Sequence, residues 1–496
     1  MTIRDPKWGR LPACGGLSVR LFLASAILLT SCRVGPNYKT PPAPVPPAFK
    51  EPLPESFKEW KQAHPGDDVL RGKWWEIYHD AALNRLEEQV DISNQNVLAA
   101  EASYRQAVAA IRVARSGLFP TVDATPQMTV SHGSSNLGNG EVSSVSTSRS
   151  GTFTDYILPF GLSWTADIWG SIRRGITAAR ATAQASAADL ANAKLSYQTT
   201  LAEDYFEMHG LDASQKLLTE TVAAYQQFLD LTEFRYKSGV ASEADVAAAK
   251  TQLDTARASL VDVGVSRAQY EHAIAVLTGK PPAEFSAEPV PLTATPPPVP
   301  IALPSELLER RPDIAAAERT MAAANEQIGI TKAAYYPTIS LSASAGLESS
   351  SILNLLNWPS RVWSLGPQAA ETLLDFGKRA GQVQEAQNAY DAAVANYRQA
   401  VLTAFQGVED NLAALRILEH EYSVNQQAIV DAQESLRVTM DQYKSGVATY
   451  LQVLTAQAAL LSAQSGAITV LTRRMSASVL LVQALGGGWS TAELPK

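Results

Sequence analysis

The sequence predicts an α+β membrane protein: four β-strands per protomer, contributing to a trimeric barrel of about 12 strands, continued by a long α-helical coiled-coil barrel. Three observations predict it. Four short segments alternate apolar residues with small hydroxyl residues, the weak signature of barrel strands. Two helical stretches run on for about 65 residues, or roughly 100 Å at 1.5 Å per residue, lengths typical of coiled coils. And the chain is written twice, as an internal two-fold repeat.

The N-terminus gives the address. Arg4, Lys7, Arg10 and Arg20 precede an apolar run from Leu21 to Leu29, too short to span a bilayer as a helix and suited to a signal-peptide core. The run ends in Leu29-Thr30-Ser31-Cys32, which resembles a bacterial lipobox. Residues 1–31 then read as a lipoprotein signal peptide, with Cys32 the lipidation site; an ordinary secretory signal with an incidental Cys is the alternative. By resemblance to such signals, Arg33 in place of Asp points away from inner-membrane retention. Cys14 lies in the removed segment, so the mature chain has no thiol left for a disulfide, a Cys-based metal site or a nucleophile. Losing four cationic side chains and Asp5 takes the net charge from −8 to −11. That acidic balance argues against nucleic acid as a partner. After Cys32 there is no uninterrupted apolar run of about 18 residues, so any membrane crossing is by a barrel.

Residues 32–79 form a lipidated, Pro-rich N-terminal segment, with extended chain from Pro36 to Pro54. The first repeat covers 80–280: a helical stretch 80–117, strands 119–132 and 151–166, then a helical hairpin with its tip at 236–241. A Pro-rich linker, 281–304, follows. The second repeat covers 305–488: a helical stretch 305–335, strands 337–348 and 361–373, then a hairpin with its tip at 443–448. Residues 489–496 are a tail. The repeat is visible as "YKSGVAS" from Tyr236 and "YKSGVAT" from Tyr443, an offset of 207 that also aligns Arg267 with Arg474 and Gly279 with Gly486. "DIWG" (167–170) stands opposite "DFGK" (375–378), and "GLFPTVDAT" (117–125) opposite "AYYPTISLS" (334–342).

Alanines 178, 179, 181, 183, 185, 187 and 188 allow helices to approach closely. Gly239 and Gly446 suit the left-handed position after a helix C-terminus. Ser242-x-x-Asp245 and Thr449-x-x-Gln452 are helix-start signals. In the strands, Ile339, Leu341, Ala343, Ala345 and Leu347 alternate with Thr338, Ser340, Ser342, Ser344 and Gly346. The expectation is lipid on the aliphatic face and water on the hydroxyl face; a soluble sheet lying on the helices is the alternative. Polar loops 131–150 and 347–360 join the strand pairs. Four strands cannot close a barrel of useful bore, so several chains must share one.

With these features in hand, the chain resembles the outer-membrane efflux factors, the TolC-like, OprM-like or NodT-type lipoproteins. The resemblance rests on the lipobox, "GPNY" (35–38), Trp74-Trp75, "FPT" and "YPT", "DIWG", "LLERRPDIAAAE" (307–318) and the paired "YKSGV" tips. It implies a homotrimer in the outer membrane that extends into the periplasm. A periplasmic adaptor would connect it to an inner-membrane RND-type pump. It implies passive conduction of drugs or other solutes, no catalysis, and no cofactor beyond a lipid on Cys32. It implies adaptor contacts at Tyr236, Lys237, Ser238, Gly239 and Val240 and at Tyr443, Lys444, Ser445, Gly446 and Val447. It also implies a periplasmic gate in which Tyr443 hydrogen-bonds Asp245 between neighbouring coils; Asp245 could equally serve only its own helix start. Where the family carries Asp after the second tip, this chain has Gln452 and Thr455, which implies weaker cation selectivity.

The rival readings are an enzyme and a lipid-anchored periplasmic coiled-coil scaffold without conductance. The six histidines, His64, His79, His132, His209, His272 and His420, never take metal-site spacing such as HExxH. No phosphate loop or nucleophile elbow is present. The alternating strands argue against the scaffold.

Overall fold

A computed structural model describes residues 33–52, 72–132, 152–299 and 307–495. Cys32 and the signal peptide lie outside them, as do most of the first strand-joining loop and residues 300–304 of the linker. The chain divides into two compact units. Among the described residues, one is built from 33–40, 108–132, 152–182 and 321–393; the other from 41–52, 72–107, 183–299, 307–320 and 394–495.

The first unit holds an antiparallel sheet. Its strands are β1 (Thr121–Ala124), β2 (Gln127–His132), β3 (Thr152–Ala166), β4 (Thr338–Ser349) and β5 (Arg361–Ala370). β3 is flanked by β1 and β2 on one side and by β4 on the other, and β5 pairs with β4. The sequence suggested one strand over 119–132; the structure splits it at Thr125-Pro126. The cause is local, because Pro126 has no N–H to give the ladder. The register is not broken: Ala124 faces Phe160 and Gln127 faces Ile157, so two residues are passed on each side. Four rails therefore cross the sheet. The last ends at Ala370 rather than 373.

At its lower end each pair of strands turns into a very long helix. Asp167 accepts from the N–H groups of Ile172 and Arg173, and Arg173 Nε returns to the same carboxylate at 3.0 Å. Asp375 does the same work, accepting from Gly377 N, Arg379 N and Arg379 Nε. A carboxylate at a helix N-terminus satisfies orphan donors and meets the positive end of the dipole. This is the physical content of "DIWG" and "DFGK".

Helix α1 (Ala81–Ser93) and helix α2 (Gln95–Ser116) replace the single stretch 80–117 read from sequence. Asn94 breaks it: its side chain caps α2 at Asn96 N and Val97 N and donates to Leu277 O. The remaining helices are α3 (Ser171–Lys237), α4 (Glu243–Leu277), α5 (Pro312–Ala333, preceded by a single turn Leu307–Arg310), α6 (Lys378–Lys444) and α7 (Tyr450–Ala484). α3 and α6 are both 67 residues long, and α4 and α7 are both 35. α7 is apolar and long enough by composition to cross a bilayer, but Met475, Val479, Leu481 and Val482 in its C-terminal half are buried inside the protein.

Extended segments are pinned to the second unit's helices by charge. Arg267 Nε donates to Asp212 at 2.6 Å and its Nη2 to Ala287 O at 2.8 Å, while Val290 N donates to Asp212. This network holds the linker. Lys50 N and Glu51 N both donate to Glu409, and Arg416 pairs with Glu51 at 2.7 Å. The "RRPDI" stretch acts at a helix end: Arg311 forks onto Asp313 and also donates to Ala484 O, one of the last carbonyls of α7.

Candidate functional site

The sheet has two chemically distinct faces, and the register extends each across all four rails. One row reads Val122, Leu162, Ala343, Leu365; the next reads Ala124, Phe160, Ala345, Trp363. On the opposite face the rows read Thr121, Ser163, Ser342, Gly366 and Asp123, Gly161, Ser344, Ser364. Ser344 and Ser364 share a hydroxyl–hydroxyl bond of 2.8 Å. The apolar rows are left bare by the described residues: Val122, Phe160, Trp363 and Leu365 are all exposed. A contiguous exposed apolar face of this kind marks contact with lipid or with another chain. The outer edges, β1/β2 on one side and β5 on the other, have no strand partner among the described residues. Unpaired edges are not tolerated in hydrocarbon. Below the sheet, Trp169 stacks on Tyr336 at 4.7 Å and donates to Pro337 O, an amphipathic aromatic pair of the kind found at membrane interfaces.

The second unit carries the hairpin tips. Each helix ends in the same Schellman arrangement. Val240 N donates to Arg235 O and Gly239 N to Tyr236 O; Val447 N donates to Gln442 O and Gly446 N to Tyr443 O. Gly239 and Gly446 sit at φ +75° and +80°, and a Cβ on either would touch nothing within 4 Å. The glycines are needed for backbone conformation alone. Tyr236, Lys237, Ser238, Gly239 and Val240 are exposed, as are Lys444, Ser445 and Gly446. Val447 is 78% exposed although a C-terminal apolar residue of this motif normally packs on its own helix. Tyr443 is different: it is 4% exposed and belongs to a core of Tyr225, Leu229, Leu253, Met440, Tyr450 and Val453 that joins the two tips. Arg235 of the first hairpin lies over its ring, 4.5 Å from the centroid, and donates to Lys444 O.

The structure does not join Tyr443 to Asp245 within one chain. Asp245 accepts from Ser242 N at 2.9 Å and donates its own N–H to Ser242 Oγ, closing a capping box. Tyr443 Oη is buried with no hydrogen-bond partner among the described residues. Gln452 closes the matching box with Thr449, and Thr455 donates to Leu451 O. Tyr450 stands against this group; burial first, then Tyr443, Tyr225 and Asp245, push its phenol up to about 12.

One feature escaped the sequence reading. Glu203, Asp204 and Glu207 share one stretch of α3, close enough to one another that each of the first two feels the next. Burial, then the neighbouring acids, raises Glu203 to about 7 and Asp204 to about 6. Burial also raises Glu207, which Ser476 Oγ contacts at 3.5 Å. The spacing i, i+1, i+4 in "EDYFE" was the available signal. Among the described residues, no group of three or more His, Cys, Asp or Glu is placed to hold a metal ion.

Comparison with known proteins agrees with this geometry. The profile of the family described as "Outer membrane efflux protein" matches residues 86–280 and again 303–487. The toluene efflux pump outer membrane protein TtgC of Pseudomonas putida is 30% identical over 476 residues, covering 95% of this chain and 96% of that protein. The solved outer-membrane channel OprN is similar with a TM-score of 0.81 at 27% identity, covering 92% of this chain and 100% of the other. The outer membrane protein VceC of Vibrio cholerae gives 0.77 at 27% identity, with 84% and 99% covered. The fold is that of these α+β, mostly helical channels, and the chain belongs to the outer membrane efflux protein family.

Proposed function

We propose that the chain is the outer-membrane duct of a tripartite efflux system, working as a homotrimer whose protomers share one barrel of about 12 strands. The observation that carries this reading is the sheet with one hydroxyl face, one exposed apolar face and two unpaired edges. Neighbouring copies supply the missing edges, the apolar rows meet hydrocarbon, and the hydroxyl rows line an aqueous bore. Leu373, Leu374 and Phe376, just below β5, are left bare in the single chain and suit contact with a second copy. The matched helix lengths support reading the chain as a two-fold repeat, in which three copies present six hairpin tips. A lipid on Cys32 is the only covalent group, and no further cofactor takes part.

A periplasmic adaptor contacts the tips at residues 236–240 and 443–447, and an RND-type inner-membrane pump drives the cargo. Apolar solvents and antibiotics, named for similar proteins, are the cargo class to try first. The duct catalyses nothing. Its gate lies where the tips converge. Tyr443 brings a buried hydroxyl without a partner among the described residues, and in the closed state it donates to Asp245 of a neighbouring protomer. Gln452 and Thr455 replace a carboxylate ring, which leaves the mouth weakly cation-selective.

The test is planar-bilayer conductance of protein purified from outer membranes, run beside a heat-modifiable oligomeric band on gels. A monomer without conductance, with Cys substituted at Leu341 or Phe160 labelled freely by a water-soluble reagent, would refute the duct. Crosslinking from Cys placed at Ser238 or Ser445 identifies the adaptor.

A further inference from the structure

The stretch that follows Cys32 is gripped by buried side chains that the duct itself does not need. Val34 donates its N–H to Trp169 O at 3.2 Å, and its carbonyl accepts from Arg174 Nε at 2.5 Å. Arg174 is completely buried. Its Nη1 donates to Glu326 Oε2 at 2.8 Å. Arg33 Nη2 donates to the same oxygen at 2.7 Å and to Thr177 Oγ1 at 3.1 Å. Asn325 Nδ2 reaches Pro36 O at 3.4 Å. The backbones are pressed together. A Cβ on Gly329 would lie 2.3 Å from Arg174 Cδ, and one on Gly35, at φ +102°, would lie 2.6 Å from Gly329 Cα. Burying a guanidinium is costly unless its partners are fixed. Here they are a carboxylate and a main-chain carbonyl of the N-terminal segment.

The two halves of the chain serve as a control. Aligning "FPT" with "YPT" (Pro120 with Pro337, an offset of 217) sets Ala109 opposite Glu326 and Arg112 opposite Gly329. Aligning Arg173 with Arg379, the arginines that back the two helix-capping aspartates, sets Ala380 opposite Arg174. The grip draws Arg174 from the first repeat and Glu326 and Gly329 from the second, and the equivalent place, with Ala380 from the second repeat and Ala109 and Arg112 from the first, lacks every component of it. Ordinary wall packing would have left a counterpart.

We infer that Arg174, Glu326 and Gly329 form a seat for the first mature residues, Arg33 to Pro36. The seat makes a lipid on Cys32 enter the membrane beside Trp169, three residues below the end of β3. It lies next to the Trp169–Tyr336 pair, whose chemistry suits the membrane–water boundary. A lipid alone sets no position relative to the barrel; holding the adjacent peptide fixes where it enters. This inference rests on lipidation of Cys32 as proposed above.

The test uses full-length protein from outer membranes and reads trypsin cleavage at the Arg33–Val34 bond, with intact mass reporting the lipid separately. The wild type should be cut slowly, because Val34 is held at both N–H and C=O. Gly329→Ala favours the helix yet displaces Arg174, and should speed cleavage at least tenfold. Arg174→Met, which keeps length but not charge, should do the same while heat-modifiable mobility reports a folded protein. Cys32→Ser, exported behind an ordinary signal peptide, should stay protected. Protection lost in Cys32→Ser and kept in Gly329→Ala would overturn the seat, as would equal cleavage in all four proteins. An intact mass without lipid would refute lipidation at Cys32, and with it the anchoring role. The seat itself is read independently, on the peptide bond.

Discussion

Leu365→Arg and Ser342→Arg form a matched pair that tests which face of the sheet meets lipid. Leu365 is the fifth of ten residues in β5, so it sits near mid-height, and it is 64% exposed in the chain. Arg on the lipid side at the bilayer midplane costs about 2–4 kcal/mol. Ser342 lies on the opposite face of β4, directly across from Gly366, where no atom stands within 4 Å of an added Cβ. A long side chain fits there and, in the duct proposed above, projects into water, at a cost of no more than about 0.5 kcal/mol. The expected gap is about 1.5–4 kcal/mol, or roughly 10- to 700-fold in the folding equilibrium. Urea titration of vesicle-inserted protein, scored by the folded heat-modifiable band, measures it. Leu365→Arg should unfold at markedly lower urea with an unchanged slope. Equal midpoints, or a greater loss in Ser342→Arg, would mean that the faces are assigned the wrong way round.

Tyr443→Phe removes a hydroxyl that has no partner among the described residues, so the protomer should melt at an unchanged or slightly higher temperature. If a neighbour satisfies that hydroxyl in the closed duct, losing about 0.5–1.5 kcal/mol per bond should raise leak conductance several-fold in bilayers; unchanged leak would remove Tyr443 from the gate. Gly446→Ala adds only left-handed backbone strain, about 1–2 kcal/mol, since no atom crowds the site. Hydrogen exchange at Val447 N–H should quicken roughly 5- to 30-fold while distant helices are unaffected. Glu203 and Asp204 have folded pKa values raised to about 7 and about 6, from ordinary values of 4.5 and 3.8. Across that window the folded state binds more protons than the unfolded chain, so stability falls as pH rises. The melting temperature should therefore be higher at pH 5 than at pH 8, and Glu203→Gln should flatten the difference.

The exposed glycine turns were legible because they answer to a single-residue rule: only Gly takes positive φ without strain. The double-faced strands were legible because side chains alternate across a strand whatever surrounds it. Asn94, which divides the first helical stretch, and Pro126, which interrupts the first strand, were also in plain view. Their effects depend on neighbours: Asn94 is held by Leu277 O, and the register past Pro126 is kept by β3.

By itself, then, the sequence determined the local periods, the long hairpin helices and their caps, since each follows from backbone geometry and residue preference along the chain. Tertiary structure decided which distant groups meet. Arg235 over Tyr443, Arg267 with the linker and Arg174 with Val34 join residues more than a hundred positions apart, save the linker contacts. Tertiary structure also drew the three α3 acids into a partly dry setting that raises their pKa values. The reason is physical: burial, desolvation and long-range pairing depend on what packs against a residue, and a linear pattern records only what the residue is.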